Sequence, residues 1–144
     1  MTNEIEDLLN EVRLLYHRVV QVGEEIHADE SATLGMRAVL EFLLKNGPTT
    51  VPDIARSRSV TRQHIQILVN ALLEYDLVEL KDNPLHKRSS LVALTKQGKR
   101  IIERMRKREA QLYATTDFGA KRSELKTAAR TLEQVRDALK GIGC

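Results

Sequence analysis

Aromatic residues and cysteine are scarce in this 144-residue chain, which has three tyrosines, two phenylalanines, no tryptophan and one cysteine. Because Cys144 is the only cysteine, no intrachain disulfide and no cysteine-based zinc site can form. Its place at the end of the sequence leads us to expect an inert thiol rather than a redox sensor. The chain also lacks a phosphate-binding loop, a glycine-rich nucleotide fingerprint and a nucleophile paired with a base. We therefore expect neither a cofactor nor an enzymatic activity.

Long apolar runs are absent as well. No segment approaches the roughly 18 apolar residues that a membrane-spanning helix needs, and the acidic first residues lack the charged and apolar regions of a signal peptide. We expect a cytoplasmic protein without a membrane partner. The histidines are too scattered for a recognisable metal motif, so no metal site is expected. They are His17, His27, His64 and His86.

Acidic and basic residues are unevenly distributed, although the net charge is only +3. Residues 1–30 contain eight acidic and two basic residues, whereas residues 31–110 contain eight acidic and fifteen basic residues. A basic middle segment suggests that this part of the chain faces a polyanion, although a solvated helix surface often has a similar composition.

Apolar residues recur at three- and four-residue steps along most of the chain, which predicts amphipathic helices. Threonines that can cap a helix precede three of them, at Thr33, Thr61 and Thr95, and Gly47-Pro48 ends the second helix. The predicted helices span residues 4–26, 34–46, 52–57, 62–75, 96–116 and 123–140.

Between the fourth and fifth helices the apolar period changes from 3.6 to about 2, which is typical of β-strands. Residues 77–81 and 91–94 are the predicted strands. The segment between them contains turn formers, among them Asn83, followed by consecutive cationic or ionisable groups. The sequence therefore predicts a β-hairpin with a basic loop. The basic groups are His86, Lys87 and Arg88.

The fourth helix has an outer face of amides, a guanidinium and one aliphatic group. No carboxylate occurs on this face before Glu74, which is unusual for a merely solvated helix in a chain with 20 acidic residues. Amides can bond base edges, arginine can reach guanine or phosphate, and an aliphatic group can touch a thymine methyl. With the basic hairpin that follows, the face predicts contact with double-stranded DNA. The candidate DNA-binding residues are Thr61, Arg62, Gln63, His64, Gln66, Ile67, Asn70, Asn83, His86, Lys87 and Arg88.

Two helices joined by a tight turn and followed by a hairpin match the winged helix-turn-helix, in which the second helix enters the major groove by its N-terminal end. Within residues 34–98 the motifs also resemble the MarR family of transcriptional regulators. Each motif is weak alone, and the specificity lies in their order and spacing. The motifs are Val60-Thr61-Arg62-Gln63, Leu72-Leu73-Glu74 with Leu77-Val78, Asp82-Asn83-Pro84 with His86-Lys87-Arg88-Ser89, and Leu94-Thr95-Lys96-Gln97-Gly98. The family commonly has glycine before the Leu-Val pair, where this chain has Tyr75-Asp76.

This resemblance implies a mainly α (α+β) fold with a small β-hairpin wing and with N- and C-terminal dimerisation helices. It further implies a homodimer that binds a pseudo-palindromic operator, one half-site per subunit, with Arg88 at the minor groove or the DNA backbone. The apolar stripes at residues 5–20 and 125–139 would then bury each other across the two-fold axis. The implied organisation is one MarR-like domain over residues 1–144, with a DNA-binding lobe at 33–95 and a helical dimerisation region at 4–26 and 96–140.

Family members often bind small phenolic or aromatic acids between the dimer helices and the DNA-binding lobe, so the resemblance also implies a small-molecule effector. An apolar lining at the matching positions is equally what a plain protein core supplies, and both interpretations stay open. The candidate effector-binding residues are Tyr16, His17, Met36, Arg37 and Phe42.

These observations favour a DNA-binding transcriptional regulator, a repressor that occupies its operator and that a signal releases. The alternative is a helical protein-interaction adaptor that keeps the fold and has lost DNA binding. An adaptor would retain the apolar stripes but would not need the uncharged amide face together with a basic wing.

Overall fold

The computed structural model describes residues 3–142, so Cys144 and its predicted inert thiol lie outside the described residues. The helices and strands confirm the expected mainly α winged helix-turn-helix, and the helix bounds lie within one residue of the predicted ones. Within residues 3–142, no helix has the length and apolar character needed to cross a bilayer. The elements are α1 (Glu4–Ile26), α2 (Leu34–Asn46), β1 (Thr49–Thr50), α3 (Val51–Arg58), α4 (Arg62–Glu74), β2 (Val78–Lys81), β3 (Leu91–Leu94), α5 (Lys96–Thr115) and α6 (Arg122–Leu139).

Side-chain caps explain where the first five helices begin. In each, a polar side chain before the first turn accepts a hydrogen bond from a backbone N–H that has no partner inside the helix. The caps at Thr33, Thr61 and Thr95 are those that the sequence predicts. The bonds run from Glu6 N to Asn3 (3.0 Å), Met36 N to Thr33 (3.3 Å), Asp53 N to Thr50 (3.3 Å), His64 N to Thr61 (3.1 Å) and Gly98 N to Thr95 (3.0 Å).

The strands form one antiparallel sheet in the order β1-β3-β2. β2 and β3 are the predicted hairpin, with Val78 opposite Leu94. β1 adds a third, two-residue strand, in which Thr50 lies opposite Leu91. The sequence indicates an extended piece at residues 49–51 but not this pairing, because two residues are too few to show an alternation pattern. The pairing ties the hairpin to the segment that leads into α3.

A left-handed residue makes the turn from α4 into β2. Asp76 has φ 60° at the position where the resembling family commonly has glycine, and aspartate tolerates this conformation better than most residues. The N–H of Leu77 closes the turn by donating to the carbonyl of Leu72 at 2.9 Å. The hydroxyl of Thr95 donates to the carbonyl of Asp76 at 2.7 Å. The turn therefore forms without glycine.

One buried apolar cluster joins α2, α3, α4, the sheet and the first half of α5. Side chains from each element interlock in it, so each helix can present only one face to the outside. The fully buried members include Val39, Leu40, Ile54, Val69, Leu72, Leu77, Val92 and Ile102.

An ion cluster links α5 with α2 and the residue after α1. Glu109 accepts a hydrogen bond from Arg37 Nε at 2.7 Å and lies 3.0 Å from His27 Nε2. Arg37 also donates to Glu41 at 2.6 Å. Burial by itself would raise the pKa of Glu41, but the hydrogen bond and the charge of Arg37 outweigh it and lower the pKa of that carboxyl.

The chain forms two compact units, residues 1–109 and residues 110–144. In the second, a turn between α5 and α6 falls at the predicted break. Gly119 adopts φ 68° there, and its N–H donates to Asp117 Oδ1 at 2.9 Å. The rings of Tyr113 and Phe118 meet edge to face across the turn. The local hydrogen bond and the left-handed glycine therefore shape the turn that separates α5 from α6.

α1 and α6 have no buried residue within the described part of the chain. Each nevertheless carries apolar residues at helical spacing, and an apolar stripe of this kind normally faces a partner surface. The exposed members are Ile5, Val12, Leu15, Tyr16 and Val19 in α1 and Leu125, Leu132 and Leu139 in α6.

Gly98 is expected to be irreplaceable because a Cβ at this position would lie 1.9 Å from the carbonyl oxygen of Leu77. Gly98→Ala should lower the free energy of unfolding by about 1–3 kcal/mol through overpacking, although alanine is the better helix former. At Gly141 the nearest atom to an added Cβ is 3.6 Å away, so Gly141→Ala serves as the control and should change little. Chemical denaturation measures both, and a stabilised Gly98→Ala variant would contradict the close approach.

The ion pair of Glu41 should make stability depend on acid pH. Its pKa is lower in the folded chain, so the pair stabilises the fold above the ordinary glutamate pKa, and this stabilisation is lost as pH falls through the folded-state pKa. Glu41→Gln should cost about 1 kcal/mol at pH 7, and this cost should shrink as the pH falls toward 3. Urea titrations across this range measure the difference.

Glu103, which lies 4.0 Å from Lys99 on the surface, provides the matched control. Glu103→Gln should leave the stability unchanged at both pH values. A Glu41→Gln variant whose stability deficit is the same at pH 3 and pH 7 would show that the carboxylate charge is not what stabilises the cluster.

Candidate nucleic-acid interface

The outer face of α4 is polar and exposed. Ile65 and Leu72 are buried in the core, so the opposite side of the helix, which carries Gln63 and Gln66, faces outward. Ile67 is 62% exposed on this outer face. The predicted division of α4 into an apolar inner face and a carboxylate-free outer face is confirmed.

The outer face of α4 and the wing line one groove of about 450 Å³. The wing comprises β2, β3 and the wing tip, residues 82–90, between them. The groove brings together four candidate DNA-binding residues, Arg62, Gln63 and Gln66 from α4 and Arg88 from the wing tip. Two guanidiniums and two amides thus converge from segments more than 20 residues apart in sequence. This arrangement can donate to phosphates and bond base edges at the same time.

The groove also contains residues that were not among the candidates. The Ser89 and Ser90 hydroxyls directly follow Arg88, and this adjacency is a sequence signal, since serine commonly contacts DNA phosphates. The remaining residues had no sequence signal. They are Val51, Pro52, Leu80 and Val92. The pairing of β2 with β3 sets Leu80 opposite Val92, and the pairing of β1 with β3 brings the residues that follow β1 to the same groove.

Two successive turns build the wing tip. Asn83 accepts hydrogen bonds from Leu85 N at its side-chain oxygen (3.0 Å) and from His86 N at its carbonyl (3.2 Å). The carbonyl of His86 then accepts from Ser89 N at 3.3 Å. Asn83 therefore builds the turn, as the sequence predicts, and the imidazole of His86 is exposed on the tip.

Gln66 and Asn70 form a side-chain pair on the outer face of α4. Gln66 Nε2 donates to Asn70 Oδ1 at 2.9 Å, one helical turn away. Such i,i+4 amide pairs stabilise a helix slightly and restrict both side chains. Gln66 retains an oxygen and one N–H, which are the two groups that can bond adenine in a bidentate manner.

Two arginines of α5 and the cations of the groove differ in their partners. Arg104 lies 2.6 Å from a carboxylate oxygen of Glu30, and Arg108 lies 2.7 Å from one of Asp29. The hydrogen bond from Arg108 lowers the pKa of Asp29, which keeps the pair charged. Within residues 3–142, by contrast, no carboxylate pairs with the cations at the groove and wing tip. These cations are Arg62, Lys87 and Arg88.

His64 and Thr61 are placed differently from the rest of the α4 candidates. The hydroxyl of Thr61 caps α4 by accepting a hydrogen bond from His64 N. His64 lines a second cavity, of about 480 Å³, which it shares with Tyr16 and Val20 of α1, Leu34 of α2 and Arg58 of α3, among others. The start of α4 therefore borders two cavities, one on each side.

The five candidate effector-binding residues are not brought together. Tyr16 lines the second cavity. The ring of His17 meets the Tyr16 ring edge to face, with the ring centroids 5.9 Å apart. Met36 is buried in the core, Phe42 packs against the core, and Arg37 belongs to the ion cluster. These five residues were candidates because the family resemblance implies an effector pocket, and the sequence did not show which of them face the cavity.

Comparisons with known proteins agree with this architecture. A family model described as "MarR family" matches residues 37–89. An uncharacterized protein of Mycobacterium tuberculosis is 34% identical over 108 residues, which cover 75% of each chain. A solved MarR family transcription regulator superposes with TM-score 0.80 at 25% identity, covering 97% of this chain and 95% of the other.

A further solved structure concerns BpsR of Bordetella bronchiseptica and the regulation of its DNA binding by 6-hydroxynicotinic acid. It superposes with TM-score 0.81 at 21% identity and covers 95% of this chain and 98% of the other. The matched stretch contains α4 and most of the wing, and the superpositions extend over the flanking helices. The chain belongs to the MarR family of DNA-binding transcription regulators.

Proposed function

We propose that this chain is a homodimeric repressor that binds a pseudo-palindromic operator in double-stranded DNA, with one half-site per subunit. The observation that carries the proposal is the groove in which the carboxylate-free face of α4 meets the wing arginine, Arg88. Polyanionic DNA favours such a surface because cations without protein partners can replace the counterions of phosphates. The operator itself is defined by base contacts, which the amides of α4 supply.

The N-terminal half of α4 is the part proposed to enter the major groove. Gln63 and Gln66 would bond base edges there, and Ile67 would touch a thymine methyl. Arg88 would sit at the adjacent minor groove, where a narrow A·T tract attracts a guanidinium. The DNA-binding lobe in this proposal is residues 33–95.

Dimerisation is proposed to cover the exposed stripes of α1 and α6. Each apolar side chain removed from water contributes roughly 25 cal/mol per Å² of buried apolar surface, and the two stripes supply at least eight such side chains. A two-fold arrangement presents two copies of α4 to successive major grooves on one side of the duplex. The dimerisation region is thus residues 4–26 and 96–140.

A small aromatic acid is the proposed effector, at the second cavity. The volume of about 480 Å³ suits a small molecule, and BpsR is a protein of the same fold whose DNA binding 6-hydroxynicotinic acid regulates. Tyr16 lies on α1 and His64 on α4, so a ligand in this cavity would contact both a dimerisation helix and the DNA-reading helix. Such a ligand would shift the spacing of the two α4 helices and release the operator.

Arg88→Ala and Gln66→Ala should weaken DNA binding in different ways. Loss of Arg88 should weaken binding to every sequence and reduce the slope of log affinity against log salt by about 1 per subunit. Loss of Gln66 should cost about 1–3 kcal/mol on the preferred sequence only and relax the preference at one position of each half-site. Selection from a random duplex pool, followed by salt titration, measures both effects.

Lys107→Ala, which removes an exposed base of α5 outside the groove, is the control and should leave affinity and slope unchanged. Identical behaviour of Arg88→Ala and Gln66→Ala across the pool would contradict the assigned roles. If the wild-type protein ignored all duplexes at low salt, the chain would be the helical adaptor instead.

Leu132→Asp should separate the dimer, because it places a charge in the middle of the exposed α6 stripe. We expect a monomer in sedimentation experiments and operator affinity reduced at least about tenfold, since binding of the two half-sites is no longer linked. Arg130→Asp, on the polar side of α6, should remain dimeric. A dimeric Leu132→Asp variant with normal helicity would show that α6 does not form the interface.

A further inference from the structure

Leu85 at the wing tip is 93% exposed, which is the highest value among the large apolar side chains of residues 3–142. Isolated apolar residues are common on protein surfaces. Leu85 differs because it lies on the wing tip, which also carries Arg88 and which lies against DNA in the proposed complex. A leucine that packs on nothing in its own chain contributes nothing to folding, so its role depends on what the tip meets.

Two hydrogen bonds fix the backbone of the wing tip around Leu85. Asn83 Oδ1 accepts from the N–H of Leu85 at 3.0 Å, and the following N–H of His86 closes the turn onto the Asn83 carbonyl at 3.2 Å. Pro84 restricts its own φ and so stiffens this turn. Leu85 therefore occupies the third position of a hydrogen-bonded turn rather than an arbitrary place in a loop.

The second turn of the tip presents a cation in the same way. Arg88 holds the third position of the turn from His86 to Ser89, three residues after Leu85. No acidic residue occurs from position 83 to position 90. Within residues 83–90 the tip thus offers an apolar group and two cations, Lys87 and Arg88, and the one carboxylate of the wing tip, Asp82, precedes this stretch.

A surface of this composition is complementary to the minor groove of DNA. Phosphates line the two edges of that groove and attract cations, whereas the sugars of its walls and the base faces exposed when a step opens are apolar. Leucine is one of the side chains that proteins insert between base steps from the minor groove, partly unstacking the step and kinking the duplex. An acidic protein partner would account for the cations but not for an apolar group at the apex.

We propose that Leu85 is a wedge that enters the minor groove beside Arg88 and opens one base step on each side of the operator. The inference rests on the proposed function, because it requires the wing to lie on DNA. Pyrimidine–purine steps unstack most easily. Operators should therefore carry TA or CA/TG steps under the two wing tips, at positions that no side chain of α4 reads.

The test uses the full-length wild-type protein and the duplex that it selects from a random pool. Donor and acceptor dyes at the duplex ends report bending, and 2-aminopurine at the step under the wing tip reports unstacking. Wild-type protein should bend the duplex and raise the 2-aminopurine fluorescence. Leu85→Ser should lose both signals and bind about tenfold more weakly, with an unchanged salt slope because no phosphate contact is removed.

Two further variants make the result specific. Leu85→Met keeps an apolar wedge and should retain bending and fluorescence, whereas Arg88→Ala should reduce the salt slope. Because Leu85 packs against nothing, Leu85→Ser should fold as the wild type does, and a thermal melt checks this. The flanking TA or CA/TG preference should disappear from the pool that Leu85→Ser selects.

Each other outcome overturns the wedge. Unchanged bending and affinity in Leu85→Ser would mean that the tip meets water or a protein instead. Weaker binding with unchanged bending and fluorescence would mean a surface contact without insertion. If the wild type binds no duplex, the proposed function fails as well, whereas duplex binding that Leu85→Ser leaves intact removes the wedge alone.

Discussion

Burial of the inner face of α4 is the constraint on which the interface depends. Ile65, Val69 and Leu72 are buried among side chains from the neighbouring helices and the sheet, and a close-packed core does not allow the helix to rotate. The opposite face must then point outward, whatever its polarity. Because this outer face carries amides and one guanidinium, the packing of the core also orients the polar groups that line the groove. The same core includes Leu77 and Val92 of the wing region, so α4 and the wing are held by one set of contacts.

Carboxylates pair with two arginines of α5 but, within residues 3–142, with none of the cations at the groove and wing tip. α5 is rich in arginine, yet Arg104 and Arg108 are held by Glu30 and Asp29 from the segment between α1 and α2. Paired charges contribute little to the field outside the protein, whereas unpaired ones contribute fully. A net charge of +3 therefore understates the attraction that a polyanion would feel at α4 and the wing.

The α4–β2 turn shows how one residue can replace another that appears obligatory. The MarR family commonly has glycine there, whereas this chain has Asp76 in the left-handed conformation. Hydrogen bonds donated by Leu77 and Thr95 close the turn. The strain of a non-glycine residue is small for aspartate, and these bonds hold it. At Gly98, by contrast, the carbonyl of Leu77 leaves no space for a side chain, so the requirement for glycine is steric rather than conformational.

The sequence by itself determined the helices, their threonine caps, the hairpin and the division of α4 into two faces, because each depends on residues only a few positions apart. It did not reveal the pairing of Thr50 with Leu91 or the His27–Glu109 contact. Nor did it show that His64 and Tyr16 line the same cavity. Those contacts join positions 41 to 82 residues apart or depend on which side of a packed helix a neighbour covers. No local pattern encodes such distances, since the packing of the whole core decides them.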